Sequence, residues 1–135
     1  MSLPDSILDL SLPALAQALA ERRVSAEELT NHALSASRLD AYRTVEPSRS
    51  LGMARLADEA FAQGTRMGPL QGIPVSVKDL YGVPGFPTFA GTPERFPERF
   101  ERAGPLVRTL AEQLGVVTGK THTVELAFGG LGTNP

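Results

Sequence analysis

The sequence predicts an α/β fold with helices packed against a sheet, and three observations point there. Apolar residues recur at helical spacing in four separate stretches. Two short apolar runs in the second half read as strands. One of the helices falls between those runs, which is the usual parallel crossover.

Residues 11–22, SLPALAQALAER, read as the first helix. Ser11 can cap it, Pro13 suits its first turn, and Leu12, Leu15 and Leu19 share a stripe. Residues 25–41 read as the second. There Ser25 followed by Glu28 is a capping box, which satisfies two orphan amide donors, and Leu29, Ala33 and Ala36 form the apolar face. A third runs from 48 to 63, with Leu51, Ala54 and Ala57 inward and Gly64 ending it. From Gly64 to Pro105 seven glycines and seven prolines make a stretch of loops around one short strand. That strand lies in LQGIPVSVKDLYGV, residues 70–83. Alternation sends Ile73, Val75 and Val77 to one face, and Pro74, Ser76 and Lys78 to the other.

Residues 104–114 read as the fourth helix, with Leu106, Leu110 and Leu114 on one stripe. GVVTGKT, residues 115–121, reads as a second strand and turn. HTVELAF reads as one or two helical turns, and GGLGTNP as a glycine-rich loop. Two strands make a poor sheet, so the fold is expected to continue beyond Pro135.

The chain has 135 residues, enough for one domain with its own core. Apolar residues make up 41% and charged residues 21%, a globular rather than a disordered composition. Thirteen basic against fifteen acidic residues give a net charge of -2, with no footprint for nucleic acid and no polybasic run for a membrane surface. The absence of cysteine excludes disulfides, thiolate metal sites and a cysteine nucleophile. MSLPDSILDL has neither a basic region nor a long apolar run, so a cytoplasmic location is expected.

Lys78, at the end of an apolar run, asks for an explanation, because a cation entering such a place loses water. The plain reason is that the strand ends and the amine reaches solvent. The chemical reason is that the amine works as a base. A free lysine amine titrates near ~10.4, so a lysine base needs burial or nearby cations. Ser76 shares its strand face, and a Ser-Lys pair works when a neutral amine accepts the hydroxyl proton. Asp79 would oppose this if close, but alternation sends it to the other face.

Other constellations fail. His32 and His122 are the only histidines, too few for a structural zinc site even with Glu125 nearby, so no metal is expected. GKT at 119–121 is no phosphate loop, since Leu114 stands where a glycine is required; Lys120 reads as part of a turn after a strand. GGLGTN lacks the spacing of a dinucleotide loop, and no Gly-x-Ser-x-Gly elbow is present.

Three segments in order resemble the amidase signature family. Leu70, Gly72, Ile73, Pro74, Lys78 and Asp79 match its Leu-x-Gly-Ile-Pro-x-x-x-Lys-Asp segment. Pro87, Thr88, Gly91 and Thr92 match its Pro-Thr-x-x-Gly-Ser/Thr segment, and Gly119, Lys120, Thr121 and Glu125 its Gly-Lys-Thr-x-x-x-Glu segment. The resemblance covers essentially the whole chain. It implies an α/β fold that is the N-terminal part of the amidase signature fold, helices on a mixed sheet, incomplete in this chain. Residues 1–135 would be one fragment of a single amidase domain, with a helical region at 1–64 and a strand and loop region at 65–135.

The implied activity is hydrolysis of a carboxylic amide to an acid and ammonia or an amine, by a Ser-Ser-Lys triad and without a cofactor. Lys78 carries over as the base, which takes a proton from a bridging serine that activates the nucleophilic serine. Phe128 and Gly130 carry over as candidates to line the acyl site, although Gly130 stands where the family often has serine. The Gly/Ser-rich segment with both triad serines would follow Asn134 and Pro135. The fragment is therefore expected to hold a buried base without its nucleophile and to be inactive alone. Two alternatives stand beside this: the amidase-like glutaminase subunit of a tRNA-dependent amidotransferase, and a short paralogue that binds a partner and does no chemistry. The expected ligand is a small amide, and a fragment is expected to self-associate through exposed apolar surface.

Overall fold

The computed structural model describes residues 3–36 and 39–131; the Asn134-Pro135 turn and two positions of the second expected helix lie outside the described residues. Helix α1 (Asp5–Leu8) is a single turn, followed by α2 (Leu12–Ala20), with Pro13 in its first turn. Helix α3 (Ala26–Ser35) begins with the expected capping box: Ser25 Oγ accepts from Glu28 N at 3.1 Å, and Glu28 Oε2 accepts from Ser25 N at 2.9 Å. Asp58 of α4 (Pro47–Ala62) caps the same end from a distance, accepting from Ala26 N at 2.7 Å and Glu27 N at 3.1 Å. A carboxylate there also favours the helix dipole.

Helix α3 stops well short of residue 41, and a strand the sequence did not announce follows, β1 (Tyr42–Val45). The two expected strands are β2 (Pro74–Lys78) and β3 (Val116–Thr121), joined through α5 (Pro105–Glu112). The sheet has the order β1-β3-β2, with β2 parallel and β1 antiparallel to β3, so it is mixed. Gly119 permits this arrangement. A Cβ there would stand 2.6 Å from Thr44 O and 2.7 Å from the Tyr42 ring, pushing β1 off β3.

Neighbouring residues of β3 serve opposite faces. Val116 packs with Leu19, Leu29, Ala54, Ala57 and Ile73 beneath α2, α3 and α4. Val117 packs with Val77, Val83, Phe86, Val107 and Leu110 beneath α5 and the long loop, so Ile73, which precedes β2, and Val77 lie on opposite faces rather than the shared one expected. Helices thus cover both faces of a central layer. Ser50 Oγ donates to Val117 O at 2.7 Å and ties the start of α4 to the sheet.

Two expected stripes are shifted. Leu106 is 65% exposed, and Val107 and Leu110 carry the buried side of α5; Leu12 is likewise exposed at the start of α2. Both leucines sit in first turns, where the helix has not yet reached the core. Among the described residues no helix is long and apolar enough to cross a membrane.

Candidate active site

Because β2 and β3 run parallel, their C-terminal ends lie side by side, with Val77 opposite Lys120 and Lys78 opposite Thr121. Alternation then puts Val77, Asp79 and Lys120 on one face and Ser76 and Lys78 on the other.

The first face holds a closed ion pair. Lys120 and Asp79 are both 0% exposed, with Nζ 2.8 Å from Oδ1. Asp79 Oδ2 also accepts from the amides of Phe89 at 3.1 Å and Ala90 at 3.0 Å. Lys120 Nζ donates to Thr88 Oγ1 at 2.5 Å, with Pro87 O at 3.5 Å. The charges are matched and their hydrogen-bonding capacity is nearly filled, as burial requires. The network pins the loop from Pro87 to Ala90 onto the ends of two strands. Gly91 (φ 79) lets that loop turn, since a Cβ there would lie 2.6 Å from the Val124 carbonyl.

The opposite face holds Lys78, and the expected burial of this residue is corrected: Val77 is buried, but Lys78 is exposed. The strand ends there, and the amides of Leu80 and Tyr81 both donate to Lys78 O, at 2.7 and 3.0 Å, as the chain turns away. The side chain emerges opposite the packed loop. None of the ion pairs among the described residues uses Lys78. Ser76 is exposed on the same face, as alternation predicted.

The buried cation is therefore Lys120, which sequence reasoning assigned to a turn. Its phase was hidden by a bulge: Val75 pairs with Val117 but Ser76 pairs with Gly119, which skips Thr118. A signal was nonetheless present. Asp79, Thr88 and Lys120 come one each from the three motif segments.

Beside Asp79 a cavity of about 360 Å³ is lined by Arg43, Gly91, Thr92, Pro93, His122 and Thr123. The Arg43 guanidinium lies over the Phe89 ring at 3.7 Å, a cation–π contact that ties β1 to the loop. Phe128 and Gly130 do not line this cavity. They follow a 3-10 turn (Glu125–Ala127) on an outlying segment, where Phe128 is 93% exposed and a Cβ on Gly130 would meet nothing within 4 Å. His122 follows β3 in a segment without regular structure, ahead of the 3-10 turn that holds Glu125. Among the described residues no group of three His, Asp or Glu could hold a metal.

This fold, with its three motif segments gathered at two strand ends, is the N-terminal part of the fold of amidase signature enzymes. A crystal structure of an amidase superposes with a TM-score of 0.80 at 29% identity, covering 93% of this chain and 30% of that one. The peptide amidase of Stenotrophomonas maltophilia gives 0.78 at 27% identity, covering 90% and 26%. The family model described as Amidase matches residues 25–135, and the chain belongs to that family.

Among curated relatives, a 2-amino-5-chloromuconic acid deaminase of Comamonas testosteroni is 52% identical over 130 residues, covering 93% of this chain and 28% of that protein. An amidase of Pseudomonas putida is 38% identical, covering 92% and 27%. One subunit of the glutamyl-tRNA(Gln) amidotransferase of Bordetella pertussis is 39% identical, covering 87% and 24%. The chain thus spans little more than a quarter of the length of these relatives at most.

Proposed function

We propose that this chain is the N-terminal portion of an amidase signature hydrolase and that Lys78 is its catalytic base. The observation that carries the reading is the amine of Lys78, which joins no ion pair among the described residues and stands on an open face, while the adjacent carboxylate of Asp79 is taken by Lys120. An amine that is not locked in an ion pair is available to take a proton once it is neutral, and the burial that would keep it neutral is proposed to come from sequence beyond residue 135 packing over this face. In the proposed reaction the neutral amine accepts the proton of a bridging serine, and that serine accepts the proton of the nucleophilic serine. The nucleophile adds to the amide carbonyl, the carbon–nitrogen bond breaks as the nitrogen takes up a proton, and water releases the acid. Both serines belong to sequence beyond residue 135, and Phe128 and Gly130 are proposed to reach the acyl site once that sequence packs against them.

The reading is tested on the full-length gene product by ammonia release. Lys78→Ala is expected to lower the rate by at least about 100-fold, the scale of a general base. An undiminished rate in that folded variant sinks the assignment. The 135-residue chain alone is expected to show no turnover above its own Lys78→Ala control. Turnover lost in that control would place the chemistry on Ser76 instead.

A second reading concerns substrate. The relative at 52% identity is named for deamination of 2-amino-5-chloromuconic acid, which favours an amino-substituted unsaturated dicarboxylic acid over a simple amide. Comparing ammonia release from 2-aminomuconate, a simple carboxamide and glutamine separates this reading from the amidase and amidotransferase ones.

Self-association of the 135-residue chain belongs to the same proposal. Leu126, Phe128 and Leu131 are exposed together near its end. Light scattering should show a mass that grows with concentration and falls back in Phe128→Ser; a constant monomer mass would remove this part.

A further inference from the structure

The buried pair of Asp79 and Lys120 does no step in the proposed reaction, yet it sits one residue from the proposed base. Stability is a weak reason for it, because a well-packed apolar pair in such a place is often as stable or more so. Holding the loop is also insufficient, since a neutral side-chain carbonyl could accept the amides of Phe89 and Ala90. What only an anion and cation together supply is a matched charge. Asp79 Oδ1 is 2.8 Å from Lys120 Nζ, both groups are fully buried, and their other partners are neutral.

We propose that Asp79 and Lys120 form a charge-neutral positioning unit for Lys78, resting on the reading of Lys78 as base. Lys120 holds the carboxylate on the far face of the strand, so that it cannot pair with the neighbouring amine. Asp79 in turn cancels a cation that would otherwise sit one ladder position away. Lys78 therefore feels neither charge. On its own face the ladder partner is Thr121, which pairs with Tyr42 of β1, and Tyr81 follows in the turn. On the far face Arg43 and His122 line the cavity beside Asp79.

The experiment is the pH profile of kcat/KM for ammonia release by the full-length enzyme, whose acid limb reports the proton leaving the base. Lys120→Met leaves the anion unmatched and should move that limb up by about one pH unit. Asp79→Asn leaves the cation unmatched and should move it down by a similar amount. The double variant should return it to the wild-type position. A purely structural role would lower melting temperature and rate in all three without opposite displacements. Limbs that stay in place in folded single variants overturn the proposal. If the singles do not fold, the double variant decides alone, and a displaced limb there overturns it. A parallel Lys78→Ala enzyme separates the two levels: full activity in it defeats the reading of Lys78, while the limb positions defeat only the neutral unit.

Discussion

Two lysines end neighbouring parallel strands one ladder position apart, and the chain treats them in opposite ways. Lys120 is sealed between the sheet and the loop, with a carboxylate, a hydroxyl and a carbonyl around its ammonium. Lys78 emerges on the other face with no ion-pair partner among the described residues. One strand parity separates them. A buried cation must be matched because its lost hydration is large, whereas an exposed one keeps its water and needs no partner. The difference teaches that depth and chemical availability are opposed here: the amine that looks special by burial is the one already committed.

The largest effect that can break this comparison is on stability. Lys120→Met leaves Asp79 as an uncompensated buried charge and should cost about 3–5 kcal/mol of unfolding free energy. Lys78→Met removes an exposed amine with no ion-pair partner among the described residues and should change stability by no more than about 0.5 kcal/mol. Urea unfolding of the two variants beside the parent chain measures both. Equal losses would mean that Lys78 is held as firmly as Lys120, and the contrast between the two faces would fall.

Much of this arrangement was legible in the sequence, for reasons that differ by element. Helix α3 announced its start through Ser25 and Glu28, because a capping box is local chemistry. The alternation in PVSVK placed Ser76 with Lys78 and Asp79 opposite, because side chains in a strand have a period of two. Strand β1 was not legible. Four residues between a left-handed Asp40 (φ 46) and Pro47 carry too short a pattern, and their pairing depends on Gly119, which lies far away in sequence. Lys120 was missed for a related reason, since the bulge at Thr118 changes which face each later residue takes. The burial expected of Lys78 failed because flanking apolar residues report on the strand, not on what covers each of its faces.

A smaller effect sharpens the same comparison with a charge held by local hydrogen bonds instead of burial. Glu28 is exposed, yet its carboxyl is held below its ordinary value, first by the hydrogen bond from the Ser25 amide and then by the one from the Ser25 hydroxyl. The ionised form is therefore favoured in the folded chain. Its contribution is fully present above the unfolded value near ~4.3 and is lost as pH falls through the lower folded value. Ser25→Ala should cost about 1 kcal/mol at neutral pH and flatten the acid side of the stability curve. Urea unfolding between neutral and acid pH checks both. The Ser25 amide survives in this variant, so a Ser25→Ala chain that loses stability on acidification as steeply as the parent would show that the amide alone keeps Glu28 ionised. In that event, the second way for this chain to hold a charge, beside the sealed pair at Lys120, would be a backbone amide, and the Ser25 hydroxyl would serve only as the cap on Glu28 N.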